Sequence, residues 1–196
     1  MLVKTRYCLA LAALLLAGCG KQERTEAIQL TKALTSKQAD FTNANNTERD
    51  FIAKAREWAG RITANGAGKG KDLETNSAIA AGFAKTAVDV STQLSSVRQA
   101  ITAPTLTEEF PQSIRDGLIN DLTKRQRTLQ EMRAQLEMAA PQFLAYQKIK
   151  GFAGDTYPDG MVKLNSLLQS YSVPTDIVGS ALSSLKEKYS FTAGEI

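Results

Sequence analysis

The chain has 196 residues, enough for one domain with a core of its own. With 24 Lys and Arg against 20 Asp and Glu, the net charge is only +4, which argues against a nucleic-acid partner. It contains no histidine. That excludes Ser-His and Cys-His nucleophile pairs, histidine-ligated zinc or iron, and a histidine pH switch, so an enzyme would have to work with carboxylate, Lys, Tyr or Ser.

At the N-terminus, Lys4 and Arg6 precede an apolar run from Cys8 to Ala17, followed by small residues. A charged start, an apolar middle and a small-residue end form the layout of a secretory signal. The run is about ten residues, against the ~20 that a membrane-crossing helix needs. The ending Leu16-Ala17-Gly18-Cys19 resembles the lipobox of bacterial lipoproteins. The resemblance implies a diacylglyceryl group on the Cys19 sulfur, cleavage just before it, and acylation of the new amine. Gly20, standing where Asp would mark the other address, resembles an outer-membrane sorting signal. Two or more acyl chains anchor firmly, at about 0.8 kcal/mol per buried CH₂. The expected organisation is a cleaved signal peptide (1–18), a lipidated polar tether (19–24) and a single helical domain (25–196). Removal of the signal takes Lys4, Arg6 and Cys8 with it, so the net charge falls to +2. With Cys19 carrying lipid, no internal disulfide is left to form.

From Thr25 the residues read as helix, with Ile28, Leu34 and Phe41 loosely periodic. Asn43-Ala44-Asn45-Asn46 predicts an interruption, after which Thr47 and Asp50 can cap a new helix. Phe51, Ile52, Ala55, Trp58, Ala59 and Ile62 then share one apolar face. Asn65-Gly66-Ala67-Gly68-Lys69-Gly70-Lys71 is the glycine-rich loop. A P-loop needs Gly four residues before Gly-Lys and Ser or Thr after it; here Asn65 and Asp72 hold the corresponding places. The dinucleotide pattern fails at Lys71, so the loop reads as a flexible helix connector.

Ile79, Phe83, Ala87, Val90, Leu94, Val97 and Ile101 are spaced by threes and fours, as an a/d seam. This helix should stop before Pro104, and Thr105 with Glu108 predicts a capping box for the next. The next helix carries Ile114, Leu118, Leu122, Leu129, Met132, Leu136 and Ala139, with Arg125 where an apolar residue is expected. So short a connection makes the two antiparallel neighbours. Pro141 should kink or restart the helix. Two shorter helices are predicted over 160–171 and 175–189, separated by Val173-Pro174, and no stretch alternates as a strand. The fold class is therefore all-α, an elongated helical bundle built on a long antiparallel helical hairpin over 73–140.

Several residues need testing for chemistry. Asp155-x-Tyr157-x-Asp159-Gly160 has the outline of a calcium loop, but Ser166 stands where a bidentate Glu is required, so it reads as a turn. Glu108 and Glu109 point about 100° apart on a helix and do not converge. Lys124-Arg125-Arg127 could meet anionic groups, although Asp121 and Glu131 nearby favour an ordinary solvated face. Seven of the 13 aromatics lie at or after Phe143. Among them Phe143, Tyr146, Phe152, Tyr157 and Tyr171 form a candidate partner or ligand surface. No catalytic residue, metal site or cofactor is assigned.

The function expected is a lipid-anchored envelope accessory protein, held to the membrane through Cys19 and binding another envelope or secreted protein through a helical surface. One alternative is a helical carrier of a small apolar ligand or lipid, needing a cavity between helices. Another is a carboxylate-dependent cell-wall-active enzyme, needing two converging acidic side chains.

Overall fold

In the computed structural model, residues 2–172, 175–192 and 194–196 are described, with side chains from Gly20 onward. The signal peptide's side chains, that of Cys19 and the Val173-Pro174 break lie outside the described residues. Among those described, the chain forms five helices and no strand: α1 (Leu2–Asn65), α2 (Lys71–Thr102), α3 (Glu109–Gln147), α4 (Asp159–Ser170) and α5 (Ile177–Tyr189). None of the described helices is long and apolar enough to cross a membrane. The all-α expectation holds, and α2 stops just before Pro104 as its sequence requires.

Several local expectations differ. The stretch 20–24, read as a tether, continues α1, because Gln22, Glu23 and Arg24 all find side-chain partners. Asn43–Asn46 does not interrupt α1; Asn45 is buried and spends its amide oxygen on Arg125 instead of on a turn or cap. Pro141, expected to kink or restart the helix, does not restart it: α3 runs through it. It is exposed, so the Glu137 carbonyl that loses its backbone donor can be hydrated. The chain divides into two compact units, unit 1 (1–39, 97–121 and 177–196) and unit 2 (40–96 and 122–176).

In unit 1, the start of α1, the end of α2, the start of α3 and all of α5 bury Leu30, Leu34, Val97, Ile101, Leu118, Val178 and Leu185. The connection between α2 and α3 is fixed from a distance. The Glu26 carboxylate accepts the backbone N–H of Thr107 at 2.8 Å, that of Glu108 at 2.9 Å and the Thr107 hydroxyl at 2.7 Å. The expected Thr105–Glu108 capping box is thus replaced by a carboxylate on α1, which satisfies the first donors of α3 and complements its dipole. Burial alone would raise the Glu26 pKa, but these hydrogen bonds outweigh it and hold the carboxyl below its usual 4.5. A carboxyl lowered on folding contributes stability above its unfolded pKa and loses it as pH falls through the folded one. We therefore expect the urea midpoint of the native protein to fall as the pH drops below about 4.5. In Glu26→Gln the midpoint should be lower at neutral pH and flatter across the acid range; an unchanged slope would contradict the cap.

In unit 2, α2 and α3 run antiparallel. Ser77 Oγ donates to Ala140 O at 2.8 Å, and Gln126 Nε2 to Ser91 O at 3.0 Å. The hairpin buries Ala87, Val90, Leu94, Leu122, Leu129, Met132, Leu136 and Ala139 beneath α1 residues such as Ile52, Ala55 and Ala59. Phe83 is half-buried and meets Phe51 and Trp58 edge-on, with centroids 5.8 and 5.7 Å apart. Met161, Leu164 and Leu168 of α4 complete this core.

The glycine-rich connector is pinned rather than loose. Ala67 N donates to Thr156 O and Gly68 N to Gly154 O, each at 3.1 Å. A Cβ on Gly66 would lie 2.2 Å from Gly154 O, and Gly66 has φ +78, so both the contact and the backbone conformation require glycine there. Its glycines serve a close approach between two loops, which accounts for the composition without a phosphate.

Candidate functional site

The chemistry most concentrated in unit 2 lies in its core. Glu48 faces inward from α1, wholly buried, and Arg125 faces inward from α3 with 5% of its surface exposed. Arg125 Nε donates to Glu48 Oε2 at 3.1 Å, a second nitrogen closes on the same oxygen, and that nitrogen also reaches Asn45 Oδ1 at 3.0 Å. The guanidinium carbon stands 5.2 Å from the centroid of the Phe41 ring. From the end of α4, the Tyr171 hydroxyl donates to Glu48 Oε1. Burial first, and then the adjacent Glu48 charge, push the Tyr171 pKa up, so it remains a neutral donor.

Arg125 therefore leaves the expected basic surface cluster, while Lys124 and Arg127 stay exposed. A guanidinium on a seam position can be accommodated only by a buried opposite charge, which Glu48 supplies. Both Glu48 oxygens are engaged, one by Arg125 and the other by Tyr171, so neither points at an open site. The cluster works as a lock joining α1, α3 and the end of α4. Arg56 strengthens that end, with Nε donating to Leu168 O at 2.9 Å and a terminal nitrogen to Tyr171 O at 2.6 Å. These are carbonyls that the last turn of a helix leaves without partners.

The five aromatics expected to form one surface are distributed among different roles. Phe143 is fully buried, its ring 6.0 Å from that of Trp58. Tyr171 belongs to the Glu48 lock. Tyr146 and Phe152 stack at 4.8 Å and are half-buried, and Ile149 in the segment joining them is 53% exposed. Tyr157 is half-buried in the turn before α4. Asp155 and Asp159 in that turn are exposed. Asp159 N donates to Gln142 Oε1 at 3.1 Å, which ties the start of α4 to α3.

On the outside of the hairpin, α2 and α3 leave open grooves. One of about 340 Å³ is lined by Ala81, Ala84, Lys85, Val88, Glu137 and Ala140. Another of about 160 Å³ continues past Val88 to Ser91, Thr92 and Arg133. Among the described residues, no three acidic or cysteine side chains are grouped to hold a metal ion. Comparison with family models, with curated proteins and with solved structures finds no match.

Of two features missed from the sequence, the buried ion pair was open to sequence reasoning and the Glu26 cap was not. Glu48 falls on the buried stripe of α1, one turn after Ala44 and one before Ile52, as Arg125 does on that of α3. Opposite charges on two apolar stripes signal a buried pair. The Glu26 cap joins residues more than eighty positions apart and leaves no such trace.

Proposed function

We propose that this chain is a lipid-anchored protein of the bacterial envelope, tethered through Cys19 and acting by binding another envelope or secreted protein. The observation that carries the anchor is the Leu16-Ala17-Gly18-Cys19 ending after a short apolar run. A rigid helical scaffold supports the interaction role. The open groove over Ala81, Ala84, Val88 and Ala140 presents small side chains that allow a partner helix to come close, between Lys85 and Glu137 at its rim. The exposed Ile149, in the segment that joins the stacked Tyr146 and Phe152, offers a second apolar contact, and is what the expected aromatic surface comes down to.

Cys19→Ala should abolish labelling by a radioactive fatty acid and move the protein from the membrane to the soluble fraction. A variant that is still labelled, or still sediments with membranes, would refute the anchor. A partner cross-linked by the native protein should be lost when Ala84→Arg fills the groove.

A further inference from the structure

Unit 1 carries a cluster of aromatic rings and ion-paired cations, in which Lys188 Nζ is held by Glu23 at 2.8 Å. Phe110, Tyr189 and Phe191 are all half-buried. Tyr189 meets Phe110 edge-on at 6.0 Å and stacks on Phe191 at 5.7 Å. Two cations lie over the rings: Lys188 Nζ is 3.8 Å from the Phe110 centroid, and the Arg24 guanidinium is 5.6 Å from that of Phe191. The C-terminus folds onto the same place. Both Glu195 carboxylate oxygens accept from Arg24 at 2.9 Å, and Thr192 N–H holds one of them at 2.8 Å. The Thr192 donors, followed by Arg24, lower the Glu195 pKa to about 2, so this clasp stays charged at any physiological pH. Ile196, next in the chain, has 39% of its surface exposed.

The position of the cluster along the chain suggests what covers it. Arg24 is five residues after Cys19 and belongs to the same helix. Five residues span about 18 Å fully extended and about 7.5 Å as helix. A headgroup layer is roughly 5–8 Å deep on each side of the hydrocarbon. An acyl chain on Cys19 therefore brings Arg24, and the rings stacked about it, to the level of the headgroups. Aromatic rings beside Lys and Arg suit that zone, since the rings bury while the cationic heads reach water and phosphate.

We propose that Phe110, Lys188, Tyr189, Phe191 and Ile196, gathered around Arg24, form a membrane-contact surface seated in the headgroup region of the bilayer that holds the lipid. This rests on the lipid-anchor reading above. A surface of this kind would seat the start of α1 on the bilayer and fix the direction in which unit 1 leaves the membrane.

The test uses the full-length acylated protein in phosphatidylcholine vesicles, with or without bromine on the acyl chains near the headgroup. Phe191→Trp and Ile196→Trp each add a reporter, and the native protein gives the Trp58 baseline. Ile196→Trp replaces an exposed side chain, so it folds whether or not Phe191→Trp does. Brominated vesicles should quench the added emission severalfold more than the Trp58 baseline. Equal emission in brominated and plain vesicles, from protein that floats with them and carries acyl mass, would overturn the contact surface and leave the anchor intact. Protein that neither floats nor carries acyl mass would overturn the anchor and, with it, this proposal.

Discussion

Arg125→Ala should lower the stability of unit 2 by about 3–5 kcal/mol, because it leaves the fully buried Glu48 carboxylate without its counter-charge. Against a whole-domain stability of about 5–15 kcal/mol, that is a large fraction. The exposed neighbour change Lys124→Ala should stay within about 0.5 kcal/mol of the native protein. Tyr171→Phe removes one donor from Glu48 and should cost about 1–3 kcal/mol. Replacing the whole set, with Glu48→Leu, Arg125→Met and Tyr171→Phe together, should recover most of the loss, since apolar replacement of a buried ion pair is often neutral or stabilising. Urea unfolding followed by Trp58, which is 3% exposed within unit 2, measures each variant. Equal midpoints for Arg125→Ala and Lys124→Ala would mean that the pair is hydrated and does not lock the helices. A triple variant as unstable as Arg125→Ala would show that the cluster contributes beyond its charge balance.

Much of the helical architecture can be read from side-chain spacing because that signal is local. Val90, Leu94, Val97 and Ile101 on α2, and Leu129, Met132, Leu136 and Ala139 on α3, are all buried. Pro104 marks the turn between the two helices, since the residues before a proline resist helical backbone angles. What stayed hidden depends on partners distant in the chain. Asn43–Asn46 looks like a break because Asn favours turns, yet Asn45 is held in helix by Arg125, eighty residues on. The connector glycines look like slack until Gly154 O is seen to occupy the space that a Gly66 Cβ would need. The expected aromatic surface is divided for a related reason. Composition gathers Phe143, Tyr146, Phe152, Tyr157 and Tyr171 by sequence position, whereas packing sends Phe143 to Trp58 and Tyr171 to Glu48.

Leu94→Ala is the second large effect, and it tests the seam itself. Leu94 is fully buried on α2 within unit 2, where α2 and α3 pack antiparallel. Truncating a buried leucine removes its transfer free energy and leaves a cavity that the surroundings only partly fill, typically costing about 2–5 kcal/mol. The value should lie toward the upper end, because continuous helices on both sides of the site limit how far the backbone can move in. Gln93 is one position away but exposed, so Gln93→Ala should change little, with at most a slight gain from the higher helix propensity of alanine. Both variants keep the chain length, net charge and every hydrogen bond described above, so the difference between them isolates apolar packing. Reducing agent should leave both midpoints unchanged, since Cys8 and Cys19 are the chain's two cysteines and stand eleven residues apart in its N-terminal segment. If Leu94→Ala and Gln93→Ala unfold at the same urea concentration, the α2–α3 seam does not carry the stability of unit 2, and the weight shifts to the α1 aromatics around Trp58.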